Sequence, residues 1–142
     1  MRTFLDSGVL LAAWRGDALS APALSLMSDE ARAFVTSQMV RLELLPKPRF
    51  ERRSVEVRFY ETHFAEAVGC EPLSEELGRE AEKVAGRYGL SGADALQVAA
   101  AIRQPAQEFY TSERPGRPLF RVKELKVISL HALKDSEKPD QP

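Results

Sequence analysis

Cysteine occurs once in the 142 residues, at Cys70, so neither an intramolecular disulfide framework nor a cysteine-rich zinc site is available. Histidine occurs twice, at His63 and His131, which leaves a histidine-built metal site poorly supplied as well. Long apolar runs are missing: the longest, Gly8 to Trp14, falls far short of the ~18–20 residues of a membrane span. Asp6 interrupts the stretch where a signal peptide needs its uncharged core. Neither sign of charge is in excess, with 20 Lys and Arg against 21 Asp and Glu and a net charge of −1. That balance excludes a binder held by bulk positive charge and leaves room only for local basic patches. What is present is 44% hydrophobic and 29% charged, enough for one sizeable core. A chain of this length is expected to form a single soluble domain acting in the cytoplasm.

Short apolar segments alternate with helical patterns along the chain. Thr3-Phe4-Leu5 reads as a strand that turns at Asp6-Ser7 into a helix through Trp14, closed at Gly16-Asp17. Ala21-Pro22 opens a second helix. Ala33 to Thr36 reads as a strand, and Met39 to Leu45 as a short helix stopped by Pro46, with Pro46-Lys47-Pro48 as a turn. Apolar residues at helical spacing run from Phe50 to Val68. Cys70 to Leu73 reads as a short strand, and Ser74 begins an amphipathic helix through Tyr88. Ala93 to Ile102 is apolar on nearly every side, as expected of a helix packed between other elements. Glu108 to Thr111 and Lys126 to Leu130 read as the last two strands. The globular part is expected to span residues 1–133, with 134–142 as a disordered tail. This alternation predicts an α/β fold, a three-layer α/β/α sandwich on a short parallel sheet. In such sheets, ligands bind beyond the carboxyl ends of the strands, where the winding reverses.

Four carboxylates fall near that edge. Asp6 follows the first strand and Glu113 follows Phe109–Thr111; Asp94 lies in the first turn of the apolar helix, and Glu43 on the short helix after the second strand. Carboxylates gathered without matching cations repel, unless some are protonated or a divalent ion sits among them. Oxygen ligands without His or Cys favour magnesium or manganese, and two such ions ~3.5–4 Å apart suit phosphodiester hydrolysis. Each residue also has a plainer explanation. Asp94 and Asp6 sit where helix-capping residues sit, Glu43 fits a solvated helix position, and Glu113 fits an ordinary loop charge.

Phe4-Leu5-Asp6-Ser7-Gly8-Val9-Leu10-Leu11, Val40-Arg41-Leu42-Glu43-Leu44-Leu45, Gly89 to Ala101 around Asp94, and Tyr110-Thr111-Ser112-Glu113-Arg114 together resemble the PIN-domain family. In size and layout the chain resembles VapC-type toxins of bacterial toxin–antitoxin pairs. The segments keep the family's order over roughly residues 3–130. The resemblance implies a magnesium- or manganese-dependent endoribonuclease in which Asp6, Glu43, Asp94 and Glu113 hold the metal and a metal-bound water attacks the RNA phosphate. Ser7 and Thr111 would be supporting hydroxyls. It also implies a protein antitoxin and a homodimer. Two departures stand out: Glu113 where the family usually has aspartate, and Gly8 where many members have Ser or Asn. Alternatives from other classes are a PIN-fold module that binds RNA or partners but cleaves weakly or not at all, and a housekeeping RNA-processing nuclease.

Basic residues cluster beside the candidate acids. Arg41 to Arg58 carries six against three acids, and Thr111 to Lys126 carries five against two, whereas Glu61 to Glu82 carries seven acids and only Arg79. Arg41, Arg49, Arg114 and Arg117 are therefore candidate RNA contacts, although each also fits a solvated surface charge. The same cluster would suit an acidic antitoxin segment. Trp14, Phe50, Phe59 and Phe64 are candidates for an interhelical groove, with core packing as the commoner fate of such residues. His63 and His131 are expected to be structural or exposed, and Cys70 buried.

Overall fold

The computed structural model describes residues 1–136. Five strands, β1 (Arg2–Leu5), β2 (Ala33–Ser37), β3 (Gly69–Glu71), β4 (Glu108–Thr111) and β5 (Lys126–Ser129), form one sheet in the order β3-β2-β1-β4-β5. Every pairing is parallel, with Phe4 opposite Val35 on one side and Phe109 on the other. The helices are α1 (Ser7–Arg15), α2 (Ser20–Met27), α3 (Gln38–Leu44), α4 (Pro46–Phe50), α5 (Ser54–Glu66), α6 (Glu75–Tyr88), α7 (Gly92–Arg103) and α8 (Leu130–Ser136).

Strand order decides where the helices go. The crossovers β1→β2 and β2→β3 step one way along the sheet, and β3→β4 steps back across β1. Right-handed crossovers then put α1 to α5 on one face and α6 and α7 on the other. The observed packing agrees: α1 lies against α2, α5 and β4, while α6 lies against α7 and α7 against β2 and β3. The winding reverses between β1 and β4, so the crevice beyond their carboxyl ends is the natural ligand position.

Local chemistry starts the helices that border this crevice. Asp6 accepts a hydrogen bond from the Val9 amide (3.0 Å), Ser37 from Val40 (3.1 Å) and Ser91 from Asp94 (3.2 Å), each satisfying an otherwise orphaned helix donor. Gly16 closes α1 at φ 70° and Gly89 closes α6 at φ 68°, a region that glycine enters without a Cβ clash.

Phe4 and Phe109 occupy the middle of the core, stacked with centroids 5.3 Å apart and essentially no exposure. Both belong to the two strands that flank the reversal, so their packing sets the spacing of the strand ends. Phe109→Ala is expected to lower unfolding free energy by about 3–5 kcal/mol, read as a lower urea midpoint with the slope retained.

Three local expectations differ from what is found. Pro46 does stop α3, but Pro46-Lys47-Pro48 begins α4 rather than a turn, because proline at the first helical position lacks only a donor that would be orphaned anyway. Residues expected to open the tail, Lys134 to Ser136, complete α8, and residues 137–142 lie outside the described residues. Cys70 is exposed, since alternation along the edge strand β3 turns Glu71 inward and Cys70 out. His63 is buried between the Phe34 and Phe64 rings, and burial lowers its pKa to about 4, so the imidazole is neutral. No described helix is long and apolar enough to cross a membrane.

Candidate active site

The four acids reach the crevice from four elements. Asp6 leaves β1 as the cap of α1, and its amide bonds the Tyr110 carbonyl (3.1 Å), which ties it to the end of β4. Glu113 follows β4, where its amide donates to Thr111 Oγ1 (3.1 Å). Glu43 projects from α3 and Asp94 from the first turn of α7. Asp94 is the common neighbour: its charge acts on Asp6, Glu43 and Glu113 alike.

That proximity is written into the proton affinities. Burial pushes Asp6 up to about 7; the Thr111 hydroxyl and Val9 amide pull it down, and Glu113 and Asp94 push it further up. Glu43 is raised by burial and by Asp94, against hydrogen bonds from Gln97 and Ser7. Glu113 is raised by burial and by Asp94, with Arg117 opposing. Both expected supporting hydroxyls therefore sit on acids, Ser7 on Glu43 and Thr111 on Asp6.

A carboxylate group with so little compensating positive charge is the chemistry that a hard divalent cation relieves, and the donors are all oxygen. In their present rotamers, however, no three His, Cys, Asp or Glu side chains among the described residues converge closely enough to hold an ion. The donor set fits a divalent cation in charge and chemistry, while ligand-distance geometry is not formed.

Two side chains of the site were not singled out from the sequence. Gln97, one turn along α7 from Asp94 and buried, donates from Nε2 to Glu43 (2.5 Å) and to Ser7 Oγ (3.3 Å) and accepts from the Ser7 amide (3.2 Å). One carboxamide thus ties α7 to α1 and α3 at the crevice. A glutamine inside an otherwise apolar helix was the available signal, because a buried amide requires partners. Ser112 is the second. A Cβ built on Gly8 would lie 2.2 Å from Ser112 Oγ and 3.3 Å from Asp6 Oδ1, so the glycine leaves space that Ser112 fills beside Asp6. The hydroxyl missing at position 8 has a counterpart from the end of β4.

The candidate RNA contacts separate into two pairs. Arg41 and Arg49 both bind the Glu61 carboxylate, at 3.3 and 2.6 Å, and Arg41 also lies over the Phe64 ring. Arg114 and Arg117 are exposed beside Glu113 in the loop after β4. The expected aromatic groove is not continuous: Trp14 packs on Phe59, Phe64 is buried, and Phe50 is 89% exposed.

Comparison with known proteins gives this geometry a context. Over most of its length the chain superimposes on a toxin–antitoxin complex from Klebsiella pneumoniae (TM-score 0.67, 14% identity, 90% of this chain and 97% of that one). It also superimposes on VapBC2 from Rickettsia felis bound to a promoter DNA fragment (0.66, 14%, 91% and 98%). A third similar structure is Mycobacterium tuberculosis VapC20, a toxin that cleaves the sarcin–ricin loop (0.64, 20%, 87% and 98%). At these identities the likeness is one of fold. No curated protein sequence matches the chain. The PIN-domain family model matches residues 3–114, which run from β1 through the loop after β4 and include all four acids. The chain belongs to the PIN-domain family.

Proposed function

We propose that the protein is a divalent-metal-dependent endoribonuclease acting as the toxin of a toxin–antitoxin pair in the cytoplasm, inhibited by a protein antitoxin and working as a homodimer. The observation that carries the nuclease reading is the gathering of four acids within electrostatic reach of one another at the strand-order reversal, with Asp94 acting on the other three. The toxin reading draws on the structural likeness to toxin–antitoxin complexes.

On this reading Asp6, Asp94, Glu43 and Glu113 hold magnesium or manganese. The ion supplies Lewis acidity toward the scissile phosphate and lowers the pKa of water at neutral pH. The chain's own groups do the rest. Thr111 and the Val9 amide hold Asp6 in place, and hydrogen bonds to its charged form counter the burial that favours protonation. Gln97 and Ser7 fix Glu43 in the same way. Arg114 and Arg117, next to Glu113, are placed to hold the phosphate backbone.

Partner-free protein incubated with a pool of structured RNA is expected to cleave with magnesium or manganese and to stop when EDTA is added. Cleavage unaffected by EDTA overturns the metal-dependent reading. RNA binding without cleavage at any metal concentration favours the binding-module alternative, for which the observation is the longer Glu113 side chain and the unconverged rotamers.

A further inference from the structure

A cavity of about 230 Å³ opens beside the acids, between α1, α3, α4 and the start of α5. Glu43 lies on its wall, so it is continuous with the candidate site. Trp14, Arg15, Lys47, Arg53, Glu56 and Tyr60 supply most of the remaining polar and aromatic lining.

The charges in this wall are not equivalent. Glu56 accepts from the Tyr60 hydroxyl (2.9 Å) and pairs with Arg53 (3.4 Å), and Arg53 also pairs with Glu51 (2.5 Å). Glu43 is held by Gln97. Arg15 and Lys47 are exposed and make no ion pair among the described residues. Of the cavity's two acids, Glu56 is paired with Arg53, and Glu43 belongs to the acid group that a divalent cation would relieve. Arg15 and Lys47 are left without a carboxylate partner among the described residues, which makes their end of the cavity complementary to an anion. Trp14 is half-buried, leans on Phe59 with centroids 5.6 Å apart, and offers its remaining surface to the cavity. Eight residue steps along α1 at ~1.5 Å each put Arg15 on the order of 12 Å from Ser7, at the start of the helix beside the acids. A flanking nucleotide needs that combination of phosphate cations and an aromatic surface, and it needs it next to the reacting acids.

We propose that the cavity between α1 and α3–α5 is a nucleotide subsite for single-stranded RNA beside the scissile phosphate, with Arg15 and Lys47 holding a phosphate and Trp14 contacting the base. The proposal rests on the nuclease reading and names where its substrate strand runs. It also reassigns the basic contacts of the Arg41–Arg58 segment. Arg41 and Arg49 are committed to Glu61, whereas Lys47, between them, is not.

Trp14 is the chain's single tryptophan, so the subsite carries its own fluorophore. A short labelled oligoribonucleotide is titrated in EDTA, which separates binding from cleavage, with label anisotropy and Trp14 emission read together. Wild-type protein is expected to bind with Trp14 emission changing along the same isotherm. R15A/K47A is expected to bind at least tenfold more weakly, and its slope of log K against log salt should be shallower by about 1.4 for two lost single-strand phosphate contacts. R79A/K83A, which removes the same two charges from α6, is expected to bind like wild type. If RNA binds but Trp14 emission stays flat, or R15A/K47A binds with the wild-type affinity and slope, the subsite is overturned. The cavity then falls to a partner polypeptide, and the nuclease reading stands. Absence of RNA binding by the wild-type protein in EDTA overturns the subsite, while the nuclease reading is decided separately by cleavage with and without magnesium or manganese.

Discussion

Asp94→Asn is expected to lower RNA cleavage by roughly 100-fold or more while leaving the circular dichroism spectrum and melting temperature close to wild type. The contrast between the two effects follows from where Asp94 stands. Its side chain is half-buried at the first turn of α7, and the capping bond there is made by Ser91 to the Asp94 backbone amide, which asparagine retains. The lost charge is the one that Asp6, Glu43 and Glu113 all sense. Removing it takes a negative ligand from the centre of the group without taking away a helix cap. A well-folded Asp94→Asn protein that cleaves at the wild-type rate would falsify the assigned site.

Asp6→Asn separates activity from stability in the opposite sense. Cleavage is again expected to fall, but the metal-free protein is expected to become more stable at neutral pH. Burial and the neighbouring acids raise the Asp6 carboxyl from 3.8 to about 7 in the folded protein. Between those pH values the folded chain binds a proton that the unfolded chain has released, so stability falls as pH rises through that window. The contribution is fully present below about pH 4 and lost as pH passes 7. Each tenfold change in proton affinity is worth about 1.4 kcal/mol, which sets a ceiling of about 4 kcal/mol. An amide keeps the capping acceptor for the Val9 amide and removes the charge, so a gain of about 1–3 kcal/mol is expected at pH 7–8 in EDTA. The gain should shrink toward pH 4, as read by urea unfolding across pH. A variant less stable than wild type at pH 8, or a difference that grows on acidification, would show that Asp6 is not held as a strained anion. The result would identify the catalytic acid as a cost to the fold that divalent metal offsets.

These effects show which parts of the protein were readable from composition and order. β1 and β2 were legible because each is a short apolar run that ends at a capping residue, Leu5 at Asp6 and Thr36 at Ser37, whereas the edge strand expected at Cys70 to Leu73 is found at Gly69–Glu71. Parallel pairing followed from the alternation with helices, and the position of Asp6 and Glu113 at one edge followed from parallel pairing. What stayed hidden depends on partners far away in the chain. Arg41 and Arg49 look available when neighbouring charges are counted, but Glu61 on α5 reaches both. Gln97 looks like an intruder in an apolar helix until Glu43 and Ser7 are brought to it across 54 and 90 residues. Proline at Pro46 carries two meanings, stop and start, and the local sequence does not choose between them. For Glu113, the sequence showed a departure from the family's aspartate; the side chains as they stand leave the acids within electrostatic reach but short of convergence.

Of the five strands, the central one is also the first to be synthesised. β1 comprises Arg2–Leu5, but its two neighbours are β2, some thirty residues later, and β4, which begins at Glu108. Until β4 has been made, one side of β1 is an open edge, and Thr111, Ser112 and Glu113 do not yet exist to meet Asp6. Pairings across such sequence separations close late and slow folding. A nascent or truncated chain therefore cannot assemble the acidic centre piecemeal: catalytic competence arrives as a unit when nearly the whole domain has been translated. The same order of events leaves an apolar strand edge uncovered during synthesis, the form in which an unfinished chain is most prone to aggregate.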